Sequence, residues 1–265
     1  MPASVLSTAV IIAAALVFVA LERRFPYDPR QRLMREGFWM DLVWYTLVQN
    51  LVLGRVIARI IVALDQVAAG RLHLMSRWPL AAQALFFLVT HDLYIYWFHR
   101  LQHRSPLLWR IHEAHHSTRD VDWLSGARSH FLEILVNQTV EFLPLAILGA
   151  SPEVWYFKVT IDAVWGMYIH SNIDAKTGLM QVLVNGPEMH RWHHATEIVD
   201  VNFATKIAMW DWLFGTAYLP PRKPGAYGLV EASYPMGYFA QAIYAFRRPR
   251  LQPTPESGER LPESE

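Results

Sequence analysis

The chain has 265 residues, 53% hydrophobic and 18% charged, with a mean hydropathy of +0.14 and a net charge of +1. It is long enough for one domain, more apolar than an ordinary soluble protein, and lacks the basic excess that a nucleic-acid partner calls for. With no Cys at all, disulfides, thiolate haem, Cys-ligated iron–sulfur clusters and Cys zinc sites are excluded, so metal chemistry falls to His, carboxylate and water.

Residues 5–21 are an uncharged apolar run long enough to span most of a bilayer, closed at once by Glu22-Arg23-Arg24. The positive charge follows the run instead of preceding it, which predicts a retained helix with its N-terminus outside rather than a cleaved leader. Arg30, Arg32 and Arg35 place the next loop in the cytosol by the positive-inside rule. Residues 38–64 form a second apolar stretch, read as membrane-embedded, whose Asp41, Arg55 and Arg59 must snorkel or face protein. Residues 65–79, with a solvated His73, then lie outside, and 80–98 return to the cytosol to deliver His99 at the inner end.

Residues 100–128 are polar and basic, which predicts a cytosolic cap of short helices. The apolar runs 131–149 and 152–169 are separated by the turn signal Gly149-Ala-Ser-Pro152 and read as a helical hairpin that brings His170 back beside the cap. Asn185-Gly186-Pro187 is a turn leading into a further helix, and residues 249–265, rich in Pro, Glu, Ser and Arg, predict a disordered tail. The expected architecture is therefore all-α: a multi-span integral membrane protein with four to five embedded helices and a helical cap, one domain over 1–248.

Histidine dominates the cap. His99 and His103 share a helical face at i, i+4, while His112-Glu-Ala-His115-His116 and His190-Arg-Trp-His193-His194 each set three rings on one face at i, i+3, i+4. Neutral imidazole is the commonest protein ligand for zinc, iron and copper. One catalytic zinc takes three protein ligands, so these boxes suit a di-metal centre. By helical arithmetic Asp92 and Tyr96 fall on the face of His99 and His103, which makes Asp92 a candidate to orient a ligating imidazole, whereas His91 points elsewhere. His130, Glu133, Asn137 and Glu141 form a polar stripe that marks an inward helix face bordering the site, and Lys158 and Asp162 pair at i, i+4.

The order HxxxH, HxxHH, isolated His, HxxHH resembles the fatty acid hydroxylase and sterol desaturase superfamily of membrane di-iron enzymes. Asp92-Leu-Tyr-Ile-Tyr-Trp-Phe-His99-Arg100, Leu108-Trp-Arg-Ile-His112, His170-Ser-Asn172-Ile-Asp and Trp210-Asp211-Trp-Leu-Phe214-Gly-Thr216 add to the likeness, which covers about 85–219. The chain departs from it where Asn202-Phe-Ala stands in place of Asn, an aromatic and Gly.

The resemblance implies a cytosol-facing pair of iron ions, with zinc as a possible substitute. Its ligands would be His99, His103, His112, His115, His116, His170, His190, His193 and His194, with Asp92, Asn172, Asn202 and Asp211 supporting them. It further implies oxygen-dependent hydroxylation of a lipid C–H bond, with desaturation on the same centre as the alternative. The chain carries no GxGxxG nucleotide fingerprint, so the electrons must come from a separate donor. Two readings from other classes remain. His112-Glu113-Ala-His115-His116 contains HExxH, the zinc-protease signature with Glu113 as base, and a metal-storage or transport protein would also use clustered histidines.

Overall fold

The computed structural model describes residues 2–67, 74–230 and 233–249, so His73 and nearly all of the expected tail lie outside the described residues. The helices are α1 (Ala3–Arg24), α2 (Asn50–Val67) entered through a π-helical stretch Met40–Gln49, α3 (Leu80–Arg104), α4 (Pro106–His116), α5 (Phe131–Leu148), α6 (Pro152–His170), α7 (Pro187–His193), α8 (Met209–Leu213) and α9 (Tyr238–Tyr244). Among the described residues there is no strand, only isolated bridges between Pro26 and Ile173 and between Ala195 and Tyr227.

Local chemistry sets the boundaries. Ser105 caps α4 by accepting from the Leu108 N–H, and Pro106, Pro152 and Pro187 open α4, α6 and α7, where a missing N–H costs nothing. α5 ends at Gly149, whose φ of 71° is left-handed. α3 does not stop at Phe98 but continues through the first histidine box, because nothing breaks the helix until Ser105-Pro106.

α1 packs on α6, α2 on α5, and α3 on α4 and α6. Glu22 at the end of α1 accepts from the backbone N–H groups of Trp123 and Asn172, both at 2.8 Å, while Ser7 near its start meets Thr160 of α6. At the opposite end the Met75 N–H donates to Leu148 and Gln83 bonds Ser151. The ends of α1, α3 and α6 and the beginnings of α2 and α5 thus meet at one end of the bundle, where α4 and α7 supply the remaining histidines.

Two helical segments, Ala3–Arg24 and Met40–Leu64, are long and apolar enough to cross a membrane, and both turn most of that apolar surface outward. α3, α5 and α6 instead enclose ionisable groups. Lys158 bonds Glu141 at 2.9 Å, His91 at 2.8 Å and Asp162 one turn along α6, and Asp162 also pairs with Lys206 at 2.7 Å. The expected Lys158–Asp162 pair is therefore part of a larger network.

Candidate metal centre

The nine histidines singled out by spacing and resemblance gather into two adjoining groups. His99, His103, His112, His116 and His193 form one, and His115, His170, His190 and His194 the other; within each, one nitrogen per residue lies within 4.8 Å of all the rest. The two HxxHH boxes are used crosswise. The i, i+4 pair of α4 joins the first group and its His115 the second, whereas the i, i+4 pair of α7 joins the second and His193 the first. The groups share a wall, with the His116 and His194 ring centroids 4.7 Å apart.

Five of the rings are oriented by what holds their Nδ1. His99 donates to the Phe203 carbonyl at 2.8 Å, His115 to that of Arg128 at 3.1 Å, His170 to that of Gly166 at 2.8 Å and His193 to that of Val201 at 2.8 Å. His112 donates to the Glu133 carboxylate at 2.9 Å, which also accepts from Gln102. With the proton committed to Nδ1, each Nε2 is a bare lone pair aimed inward.

That arrangement makes sense only around cations. The Nε2 atoms of His99 and His112 lie 3.0 Å apart and those of His115 and His170 3.3 Å apart, yet neither member of either pair has a proton left to share. His116 and His193 are buried with Nε2 unpartnered. In the second group the Nε2 atoms of His170, His190 and His194 form a triangle with edges of 3.0, 3.2 and 3.2 Å. Nitrogens about 2.1 Å from one ion, at angles between square and tetrahedral, stand roughly 3.0–3.4 Å apart. Burial holds the imidazoles of His112, His116, His190, His193 and His194 well below their usual pKa, with neighbouring rings adding to the effect, so all five are neutral at pH 7 and free to bind metal. The donor set fits two metal ions that favour nitrogen.

The segment behind the rings is pinned from several sides. Asp211 accepts from the N–H groups of Phe203 and Ala204 and from the Thr216 hydroxyl, at 2.7–2.9 Å, and burial pushes its carboxyl up to about 6. Asp92 accepts from Thr205, from the N–H groups of Lys206 and Ile207, and from the Trp210 indole. Among the described residues none of its bonds comes from an imidazole, so it acts on the ligand face through the backbone. Asn202, at a left-handed φ of 56°, ties the Met189 carbonyl to Tyr218, and Asn172 fastens the 25–28 segment through Asp28.

Sequence reasoning placed Glu133 on an inward stripe without seeing that it grips His112, and it missed Gly126 altogether. A Cβ on Gly126 would stand 2.6 Å from the His170 Nδ1, a close approach with no local sequence signal. His130, the first member of the stripe, caps α5 by accepting from the Leu132 N–H. Asn137 bonds Tyr94, and Glu141 belongs to the Lys158 network.

Two other constellations do not match this geometry. Glu113 of the HExxH pattern is gripped by both its oxygens by Arg247 at 2.6 Å, and His112 and His116 share their cage with three further histidines, which does not favour a zinc protease. His91, Glu141 and Asp162 also lie close together, but the Lys158 ammonium touches all three and already supplies the positive charge.

The comparisons with known proteins agree on a class. The fatty acid hydroxylase profile matches residues 84–216, about half of the chain, and the chain belongs to that family. It is 31% identical to an ornithine lipid hydroxylase of Rhizobium tropici over 65% of the chain and 53% of the relative. It is 30% identical to the human alkylglycerol monooxygenase over 53% of the chain and 31% of the relative, and 26% identical to a very-long-chain aldehyde decarbonylase of rice over 72% and 65%. The chain thus spans between about a third and two thirds of the curated relatives it matches. No solved structure matches it significantly.

Proposed function

We propose that the protein hydroxylates an unactivated C–H bond of a membrane lipid at two iron ions, one held by His99, His103, His112, His116 and His193 and the other by His115, His170, His190 and His194. The observation that carries this reading is the pair of adjoining cages in which the facing nitrogens of His99 and His112, and of His115 and His170, have no protons to exchange. The relatives support it, being named for ornithine lipid and alkylglycerol, both lipids. When bound, such a metal pair supplies oxygen activation, in which one atom of O2 enters the product as hydroxyl and the other leaves as water, with two electrons and two protons consumed.

The chain's own contribution is positioning and exclusion. Glu133 and the carbonyls of Phe203, Arg128, Gly166 and Val201 fix five of the nine rings before metal arrives, which limits the reorganisation that accompanies binding. The rings are buried, which keeps bulk water from the oxidising site. Electrons come from a separate donor protein. α1 and Met40–Leu64 cross the bilayer, α3, α5 and α6 complete an embedded bundle, and Arg23, Arg24, Arg30 and Arg32 mark the metal-bearing end as cytosolic.

Metal analysis of the purified protein and turnover of lipid under labelled oxygen gas test this together. Two irons per chain and one labelled atom in a hydroxylated product are expected. Zinc alone without oxygen uptake would refute the reading. An unlabelled new double bond would replace hydroxylation by desaturation on the same centre.

A further inference from the structure

α9 is built inside out. Its polar Gln241 is 1% exposed, accepting from the Tyr45 hydroxyl and donating to the Pro235 carbonyl, and Ala245 is 2% exposed. Its outward residues are Phe239 at 61% and Ile243 at 72%, followed by Phe246 at 61%. A helix on a water-facing surface does the opposite, hiding the apolar stripe and showing the polar one. The helix is firmly seated in this sense: Tyr238 stacks on Trp44 and donates to Gln49, His130 donates to the Ala242 carbonyl, and Arg247 grips Glu113.

Position in the bundle says what covers this face. α9 leans on the π-helical stretch Met40–Gln49, the metal-proximal end of a segment able to cross a membrane. Its exposed side chains continue the outward apolar surface of that segment, where Trp39 and Leu47 are also exposed. Just beyond Phe246 stands the exposed Arg248. Exposed apolar and aromatic side chains followed directly by an exposed arginine match the boundary between acyl chains and headgroups. Residues 250–265 are rich in Pro, Glu and Ser, with Leu251 and Leu261 their only large apolar side chains.

We propose that α9 lies in the plane of the bilayer interface, with Phe239, Ile243 and Phe246 in the acyl boundary and Arg248 among anionic headgroups. It thereby fixes the depth at which the histidine cages stand above the lipid. The inference rests on the membrane reading given under Proposed function, and the test separates the two.

The natural chain has no Cys, so single cysteines report cleanly. Nitroxide labels are placed at Phe239→Cys and Ile243→Cys in the full-length, metal-loaded protein, reconstituted in vesicles of phosphatidylcholine and phosphatidylglycerol. Leu16→Cys on the outward face of α1 and Ala226→Cys on an exposed loop serve as references. The ratio of relaxation by oxygen, which concentrates in lipid, to relaxation by a water-soluble nickel chelate is expected to be several-fold higher at 239 and 243 than at 226, approaching that at 16. A ratio at 239 and 243 equal to that at 226, with 16 still lipid-like, overturns the proposal and leaves the membrane reading standing. A water-like value at 16 overturns the membrane reading itself. Dipolar broadening between labels at 243 would put a second copy of the chain on this face and also overturn the proposal.

Discussion

An imidazole serves a metal best when its lone pair points inward and its other nitrogen is held, and in this protein His99, His112, His115, His170 and His193 meet the two conditions with different atoms of one ring. Replacing His112 or His193 by Ala removes a nitrogen from the first group and is expected to lose metal and turnover together, read by metal analysis beside activity. Full metal retention in both variants would dismiss the first cage. Gly126→Ala leaves every proposed ligand in place but drives a methyl group against His170. It should weaken metal binding by about 10–100-fold, the usual consequence of disturbing what orients a ligand, visible in a chelator competition titration. Glu113→Gln tests the opposite case. Its partner is Arg247 rather than a cage nitrogen, so oxygen-dependent activity should largely survive, whereas a protease would be silenced with zinc still bound.

Among the elements, the segment from Val201 to Thr216 decides how well the cages are built. Asp92 and Asp211 each gather three or more donors from it, and Phe203 passes the result to His99. Asp92→Ala would strand buried N–H groups and leave Lys206 short of one acidic neighbour, at a cost on the order of 3 kcal/mol. A lowered thermal midpoint together with slower metal uptake is the expected result; a lower midpoint with unchanged uptake would make Asp92 merely structural. The long helices and the histidine boxes were legible in the sequence because hydropathy runs and i, i+3, i+4 spacing are local signals. This segment was not. Its path depends on left-handed backbone at Asp200 and Asn202, on the Asp92 carboxylate from α3 and on the Asp211 carboxylate folded back from its own α8, and no periodicity records any of these. The same holds for Asp92, a candidate to orient an imidazole, whose partners are the Lys206 and Ile207 amides, the Thr205 hydroxyl and the Trp210 indole. α9 was not assigned as an element, because its seven residues are too few for a helical period to stand out.

Across the whole molecule, packing so many neutral rings into one interior ties stability to pH. The unfolded chain takes up protons on histidine below about pH 6.5, while burial keeps His112, His116, His190, His193 and His194 neutral to well below that value. The folded state binds fewer protons, so its stability is full above about pH 6.5 and is lost progressively as the pH falls below it. Asp211, pushed up to about 6 by burial, works in the opposite direction between about pH 4 and 6, and Asp120, also raised by burial, adds to it, but these cap carboxyls are fewer than the five rings. The thermal midpoint of the metal-stripped protein should therefore drop between about pH 7 and pH 5; a flat profile would mean that the rings are already charged or solvated.

Four of the cage rings are aimed by main-chain carbonyls, those of Phe203, Arg128, Gly166 and Val201. A carbonyl belongs to every amino acid, so mutation cannot delete it. The aim of these rings is thus inherited from the path of the chain and not from particular neighbours. Changes at 201 and 203 that keep these buried side chains apolar and of similar size would leave that aim in place, while a proline or an insertion that shifts the backbone there would reach the metals at once.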